Sequence, residues 1–220
     1  MNPTKHSHDR SAGRLAYSGI PKRLLDLVAA AFLLVVTSPI MALAALAISL
    51  EGDGGVIFRQ IRMGQGMKPF VCYKFRTMRP NAPGDCASAA LENPERYITK
   101  VGRILRRFSI DELPQLVNVI KGDMSLVGPR PVILGERELI ELRRQLGVYS
   151  VKPGITGLAQ IRGRDNISIH RKAALDFQYT ERLSLGYDIK LLGCTVLSVL
   201  GCRGVREGKA EPEEGKAADA

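Results

Sequence analysis

Residues 109–131 read SIDELPQLVNVIKGDMSLVGPRP, and the rest of the chain is organised around the chemistry of this segment. It begins with two adjacent carboxylates, Asp111 and Glu112, and it ends with an arginine between two prolines, Arg130. Further arginines lie directly upstream: Arg103, Arg106 and Arg107. Arginine binds phosphate through its planar fork, and Mg²⁺ prefers carboxylate and phosphate oxygens. The pattern therefore predicts a site for a phosphorylated substrate and a divalent metal.

The start of this segment also has a purely structural interpretation. Ser109 and Glu112 fit a helix capping box, in which Ser109 is the N-cap and Glu112 reaches back from the third position. At the positive end of such a helix, beside Arg106 and Arg107, both carboxylates are expected to have lowered pKa values and to stay ionised. An ionised Asp111 can attack phosphorus to form an aspartyl phosphate, while its neighbour holds Mg²⁺.

The cationic candidates have structural alternatives as well. The prolines on either side of Arg130 fix the backbone around a guanidinium that suits phosphate, but they also fit a rigid loop with a solvated arginine. Lys74 and Arg76 are candidates for substrate binding, although the same charges protect an exposed strand edge from aggregation.

Composition narrows the classes of partner. The 220 residues carry a net charge of +10, which favours nucleic acid, a phosphorylated small molecule or an anionic membrane face. Aromatic residues make up 5% of the chain and tryptophan is absent, so stacking platforms for single-stranded nucleic acid are sparse. The four cysteines form no Cys-x-x-Cys pair, which argues against zinc and against a secreted disulfide framework.

Residues 24–50 form the most apolar segment, which at about 27 residues is long enough to cross a bilayer as one helix. Ser38 and Pro39 lie near its middle, and an interior proline kinks or breaks a helix. Each half alone reaches only about 15 to 20 Å, which is short of the roughly 30 Å hydrocarbon core. The sequence thus predicts a membrane helix with a break at Ser38 and Pro39.

Basic residues flank this apolar segment on both sides, from Lys22 and Arg23 before it to Arg59 and Arg62 after it. Because positive charge marks the cytoplasmic side, a helix that enters and leaves by the same face is expected, which is a re-entrant helix. A kinked single span and a buried core helix are the alternatives. Asp26 is expected to pair with the lysine and arginine one turn before it.

The predicted fold class is α+β: a compact cytoplasmic catalytic domain with an N-terminal re-entrant membrane helix and surface-lying amphipathic helices. Residues 1–19 are predicted to be a disordered basic tail, 20–51 the re-entrant helix, 52–206 the catalytic domain and 207–220 a disordered tail. Residues 56–78 are predicted to form strands joined at residues 64–66, and residues 151–163 to be strand and turn. Helices are predicted over 97–108, 135–146, 171–182 and 189–200, the last lying on the surface or in the core.

Six motifs occur in one order along about residues 20–206. The first is Lys22-Arg23 before the apolar segment that Ser38-Pro39 divides. The others are RMGQGMKPF at residues 62–70, YKFRTM at 73–78, SIDELPQ at 109–115, KGDMSLVGPRP at 121–131 and KPGITGLAQ at 152–160. Together they resemble the bacterial sugar transferase family, the small monotopic polyprenyl-phosphate phosphoglycosyltransferases.

The resemblance implies a two-step exchange with Mg²⁺ as cofactor. Asp111 would attack the β-phosphorus of a UDP-sugar and release UMP, and polyprenyl phosphate, expected to be undecaprenyl phosphate, would then take up the phosphosugar. Glu112, together with Asp111, would hold Mg²⁺. The residues expected to bind substrate are Arg106, Arg130, Lys74, Arg76 and Asp176.

The resemblance also implies a place and a pathway. The catalytic domain is expected on the cytoplasmic face of the bacterial inner membrane, where it would start a surface glycan such as an exopolysaccharide or a lipopolysaccharide. Its partners would be the UDP-sugar, polyprenyl phosphate, the inner membrane and downstream glycosyltransferases, and no nucleic acid. Two other functions remain open: a membrane-tethered basic protein that binds nucleic acid or other partners, and a Mg²⁺-dependent nucleotide-sugar hydrolase.

Overall fold

The computed structural model describes residues 17–52, 54–82, 93–163 and 167–200. The predicted C-terminal tail and most of the predicted N-terminal tail lie outside these residues. Residues 17–19, which the prediction placed in the N-terminal tail, are part of the described fold, because the hydroxyl of Tyr17 donates a hydrogen bond of 2.9 Å to Asp188.

The described residues combine helices with short strands, as predicted for a mixed α and β fold. The helices are α1 Ile20–Glu51, α2 Lys100–Arg107, α3 Gln115–Lys121, α4 Arg137–Gln145, α5 Leu158–Arg162, α6 Ile169–Glu181 and α7 Leu185–Leu200. The strands are β1 Ile57–Met63, β2 Pro69–Phe75, β3 Ser125–Val127 and β4 Gly154–Thr156. Helices α2, α4, α6 and α7 confirm the four helices predicted after the membrane segment.

Helix α1 is long and apolar enough to cross a membrane, with a mean hydropathy of 2.4 over its most apolar window. Residues 20–51 are helical throughout, including Ser38 and Pro39, so the helix is not broken into two. A proline inside a continuous helix is a common cause of a kink. Pro39 has no N–H to donate to the carbonyl of Val35, four residues earlier. The hydroxyl of Ser38 donates to that same carbonyl at 2.7 Å, which satisfies the oxygen and helps to explain why the helix continues.

The two ends of α1 both pack on the same folded body. Near its start, Ala30 is buried in the main core and Arg23 donates to the carbonyl of Val119 at 2.6 Å. Near its end, Ile48 is buried against Phe75 and Leu105. Between them lies an exposed middle, where Phe32, Val35, Val36, Ile40 and Leu43 are all about half exposed or more.

Strands β1 and β2 form the antiparallel hairpin that the alternating pattern predicted, with Ile57 opposite Phe75 and Met63 opposite Pro69. They are joined through a 3₁₀ turn at Gln65–Met67. Alternate residues of β2 therefore face opposite sides, and Lys74 lies on this hairpin next to the segment that carries Asp111 and Glu112.

Strands β3 and β4 pair in parallel, with Ser125 opposite Gly154 and Val127 opposite Thr156. The two backbones come very close beyond β3: a Cβ atom on Gly154 would lie 2.0 Å from the backbone nitrogen of Gly128. This approach brings residues 129–132 against the start of β4. The sequence interpretation of residues 151–163 as strand and turn was incomplete, because helix α5 begins at Leu158.

Candidate active site

A cavity of about 410 Å³ lies where the hairpin, β3 to β4, α1 and α7 meet. Asp111 and Glu112 line it together with a group of cationic side chains: Arg62, Lys74, Arg106, Arg130, Arg143 and Lys172. Another part of its wall comes from α1 and α7, through two leucines and three hydroxyl side chains: Leu33, Thr37, Leu192, Thr195 and Ser198. The cavity thus joins a charged region to the helix that carries the apolar membrane segment.

The local backbone conformation prevents the predicted capping box from forming at Ser109. After α2 ends, Ser109 adopts a left-handed conformation with φ of 56°, and Ile110–Glu112 forms a single 3₁₀ turn before Pro114 and α3. The predicted capping box is therefore wrong: the Ser109 side chain makes no capping hydrogen bond, and the side chain of Glu112 points to two cations. Charged partners of this kind bind a carboxylate more strongly than a backbone N–H does.

Glu112 accepts two charged contacts on one oxygen. Its Oε1 lies 2.8 Å from Lys74 Nζ and 2.9 Å from Arg130 Nη2. Burial alone would raise the pKa of Glu112, but Arg130 and Lys74 outweigh it and hold the pKa well below its usual range. The lowered pKa favours an ionised Glu112 at neutral pH, as the sequence predicted.

The pKa of Asp111 shifts in the opposite direction, although Asp111 directly precedes Glu112 in the chain. Its side chain is buried, with 8% of the residue exposed, and this burial raises the pKa of Asp111. Lys74, Arg106 and Arg130 lower the pKa and Glu112 raises it further. The predicted lowering of the Asp111 pKa is thus wrong, because Asp111 does not begin a regular helix and burial outweighs the attraction of the neighbouring cations.

Arg106 reaches the cavity from α2, which packs tightly on the segment after the hairpin. A Cβ atom on Gly102 would lie 2.2 Å from the carbonyl oxygen of Thr77, so only glycine allows this approach. Arg106 Nε then donates to Thr77 Oγ1 at 3.0 Å. The tight packing fixes the guanidinium near Asp111.

Two residues that were predicted to bind substrate, Arg76 and Asp176, do not line the cavity. Arg76 is not among the residues that line the cavity: its Nε donates to the carbonyl of Gly55 at 2.9 Å, and its guanidinium lies 5.8 Å from the ring centre of Phe58. Asp176 is 1% exposed and its carboxylate accepts from Arg143, at 3.0 Å from Nε and 2.5 Å from Nη2. Asp176 therefore sits behind the cavity wall and faces Arg143.

The sequence reasoning missed Arg62 and Arg143 as parts of this site. The burial of Arg143 could have been predicted from the sequence. Arg143 follows Leu139 by four residues and therefore lies on the same face of α4 as this leucine. The Arg143 side chain is buried, whereas Arg62 is half-buried. An arginine on the apolar face of a helix needs a buried partner, and Asp176 supplies it.

The donor set fits a magnesium ion that is shared with a substrate. Among the described residues there is no cluster of three or more His, Cys, Asp or Glu side chains that holds a metal by itself. Mg²⁺, however, is usually bound by one or two carboxylates plus substrate phosphate oxygens. Asp111 and Glu112 offer two adjacent carboxylates on the wall of a cavity that also has cations for phosphate.

Adjacent carboxylates, a group of cationic side chains and a helix long and apolar enough to cross a membrane meet at one cavity, an arrangement typical of enzymes that act on phosphorylated lipid substrates. Within that class the chain belongs to the bacterial sugar transferase family, whose family model matches residues 17–202. This confirms the resemblance that the six motifs indicated, over nearly the same part of the chain.

Similar proteins extend over most of the chain. A protein named uncharacterized sugar transferase EpsL from Bacillus subtilis is 46% identical over 188 residues, which cover 86% of this chain and 91% of that protein. The UDP-glucose:undecaprenyl-phosphate glucose-1-phosphate transferase of Caulobacter vibrioides is 45% identical over 186 residues, with coverages of 81% and 69%. The exopolysaccharide production protein ExoY of Sinorhizobium fredii is 36% identical over 200 residues, with coverages of 84% and 88%.

Proposed function

We propose that this enzyme transfers a sugar 1-phosphate from a UDP-sugar to polyprenyl phosphate, giving polyprenyl-diphosphate-sugar and UMP. The observation that carries the proposal is the cavity in which Asp111 and Glu112 lie among cations and which extends to the apolar helix α1. The relative from Caulobacter vibrioides supports it, because its name describes a transfer of this kind to undecaprenyl phosphate.

In the first step the carboxylate of Asp111 attacks the β-phosphorus of the UDP-sugar. The bond from this phosphorus to the bridging oxygen breaks, UMP leaves with that electron pair, and the phosphosugar stays on the carboxylate as an acyl phosphate. Lys74, Arg106 and Arg130 offset the repulsion between an anionic nucleophile and an anionic diphosphate. The raised pKa of Asp111 makes its carboxylate a stronger base than an ordinary aspartate.

In the second step the phosphate oxygen of the lipid attacks the same phosphorus. Asp111 leaves as a free carboxylate, and the product is a polyprenyl diphosphate that carries the sugar. Asp111 and Glu112 would hold Mg²⁺, whose chemistry at this place is to neutralise charge on phosphate oxygens. Leu33 and Thr37 of α1 line the cavity, so an isoprenoid tail beside α1 would bring its phosphate to the charged region.

We further propose that α1 is re-entrant and that the catalytic domain lies on the cytoplasmic face of the inner membrane. The proposal is supported by the two ends of α1, both of which pack on the same folded body while the middle is exposed. A straight span would carry its ends to opposite sides of the bilayer. Basic residues flank both ends of the apolar segment, which favours the cytoplasmic face.

The lipid-linked product would be the starting unit of a surface glycan, which downstream glycosyltransferases would extend. The relative from Sinorhizobium fredii, named for exopolysaccharide production, supports a role of this kind.

The test is to identify the nucleotide released by the purified protein in detergent with Mg²⁺, polyprenyl phosphate and a panel of UDP-sugars. The expected product is UMP, with repeated turnover only when the lipid phosphate is present. UDP as product would contradict the proposal, because ordinary glycosyl transfer breaks a different bond. Repeated release of UMP without lipid would instead identify a nucleotide-sugar hydrolase.

A further inference from the structure

The loop that carries Arg130 is held through four consecutive backbone carbonyls, by donors from three parts of the fold: β1, α4 and β4. The prolines on either side of Arg130 have fixed φ angles and no N–H group. The four hydrogen bonds are Gly154 N to Pro129 O at 2.9 Å, Arg143 Nη1 to Arg130 O at 2.8 Å, Arg62 Nη1 to Pro131 O at 2.6 Å and Met63 N to Val132 O at 2.9 Å.

Two of these donors are side chains, and each is oriented by a further acceptor. Arg143 directs Nε and Nη2 to the carboxylate of Asp176 and Nη1 to the loop. Arg62 directs Nε and Nη2 to Gln60 Oε1, at 3.1 and 2.7 Å, and Nη1 to the loop. A guanidinium group is planar, so fixing one edge also fixes the direction of the remaining N–H groups.

We propose that Arg143, oriented by Asp176, and Arg62 are positioning residues that fix the Arg130 backbone and so hold its guanidinium beside Glu112. The inference rests on the proposed function in one respect, namely that Arg130 binds the nucleotide diphosphate. Asp176 then acts through Arg143 and makes no contact with the substrate.

The exposure of these side chains explains why Arg130 needs such support. The Arg130 side chain is 34% exposed, whereas Arg143 and Asp176 are 2% and 1% exposed. A long, partly solvated side chain loses considerable entropy when it is held in one geometry. Hydrogen bonds to the backbone on either side of Arg130 lower the number of conformations that its side chain can sample in the cavity.

An experiment can distinguish whether the buried ion pair between Arg143 and Asp176 positions Arg130 or only stabilises the fold. A buried ion pair can often be replaced by apolar side chains of similar volume without loss of stability. An apolar pair fills the same space but donates no hydrogen bond to the Arg130 carbonyl. If the pair only stabilised the fold, its apolar replacement would therefore restore both stability and nucleotide binding.

The test is the double variant Arg143→Met with Asp176→Leu, compared with Arg144→Met on the exposed side of the same helix. The double variant is expected to melt near the wild-type temperature and to bind UDP about tenfold more weakly by calorimetry. Its KM for the UDP-sugar rises by a similar factor, while its KM for polyprenyl phosphate stays unchanged. Arg144→Met is expected to leave all of these values unchanged.

Hydrogen exchange gives a readout that needs no activity. The backbone amides of Met63 and Gly154 donate to the carbonyls on either side of the Arg143 and Arg62 contacts. Both amides are expected to exchange faster in the double variant. Wild-type UDP affinity together with wild-type exchange at these amides would overturn the proposal.

Arg62→Met supplies a second variant, which leaves no buried charge because the partner of Arg62 is the neutral Gln60. It is expected to weaken UDP binding and to speed exchange at Gly154, on the far side of the loop. Weaker binding without faster exchange would mean that Arg62 acts on the substrate directly, which overturns its positioning role. Wild-type protein that releases no UMP would disprove the proposed function instead, and the exchange data would still test the support of the loop.

Discussion

Asp111 and Glu112 are neighbours in the sequence but differ in their electrostatic surroundings. Glu112 takes the close contacts with Lys74 and Arg130, at 2.8 and 2.9 Å, and its pKa is lowered. Asp111 is buried beside it and its pKa is raised. The pair thus combines a more basic carboxylate suited to attack with a less basic one suited to hold cations.

The two carboxylates are expected to respond differently when each is replaced by its amide. A raised pKa means that ionised Asp111 destabilises the fold above the pKa of the unfolded chain, so Asp111→Asn should remove transfer without lowering the melting temperature at neutral pH. Glu112 has a lowered pKa and stabilises the fold above its unfolded pKa, an effect that is lost as the pH falls through its folded pKa.

Glu112→Gln leaves Lys74 and Arg130 without their counter-charge, and it should cost roughly 1–3 kcal/mol of unfolding free energy. Thermal or denaturant unfolding of the two variants in the same detergent checks both expectations. A larger loss of stability in Asp111→Asn than in Glu112→Gln would contradict this assignment of their charges.

The pH dependence of transfer is expected to have one acid limb, set by Asp111. The nucleophile must be ionised, so kcat/KM falls as the pH drops through the raised pKa of Asp111, which lies above the usual range for aspartate. Glu112 stays charged throughout this range because its pKa is lowered. Measurement of kcat/KM between about pH 4 and pH 9 checks this. Full activity down to the usual pKa of aspartate would contradict it.

Among single residues, the sequence and the family resemblance predicted both carboxylates and three of the six cationic side chains that line the cavity. Asp111, Glu112, Lys74, Arg106 and Arg130 do come together there, because the motifs contain the charged residues themselves. Arg76 and Asp176 do not line the cavity, and their predicted role in substrate binding stays a prediction. Arg76 donates to Gly55 and Asp176 accepts from Arg143, and both pairs are far apart in the chain. The spacing of residues in the sequence does not predict such long-range hydrogen bonds.

At the scale of the elements, alternating residues predicted the β1–β2 hairpin. Helical spacing and composition predicted helices α2, α4, α6 and α7. The capping box at Ser109 failed because the pattern ignores backbone conformation, and a left-handed Ser109 cannot act as an N-cap. Helix α5 was missed because it has only five residues and follows a segment rich in glycine. Such short elements depend on tertiary packing more than on propensity.

Helix α1 allows a direct test of the re-entrant proposal in a background without the native cysteines. Ile20→Cys and Leu50→Cys lie near its two ends, where the native side chains are 83% and 79% exposed. Both are expected to react with a membrane-impermeant thiol reagent in inside-out vesicles and not in intact spheroplasts. Val36→Cys in the exposed middle should be protected in both, because lipid covers it. Labelling of one end from each side would show a single span.

At the scale of the whole molecule, the cavity depends on segments that are far apart in the chain. The hairpin brings Lys74, the segment after α2 brings Asp111 and Glu112, and β3 leads into Arg130. The start of α1 packs in the main core and its end packs on α2, where Glu51 accepts from the backbone nitrogen of Lys100 at 2.8 Å. The membrane helix and the charged site are therefore parts of one packed structure, which the apolar pattern alone did not indicate.

The measurement that tests the central claim most directly is the intact mass of the protein after incubation with its UDP-sugar and Mg²⁺ in the absence of lipid. The account predicts a mass increase equal to one phosphosugar, with one UMP released per active site. The adduct should be lost on addition of polyprenyl phosphate and should never form in Asp111→Asn. Transfer to lipid by a protein that forms no adduct, or an adduct in Asp111→Asn, would contradict Asp111 as the nucleophile.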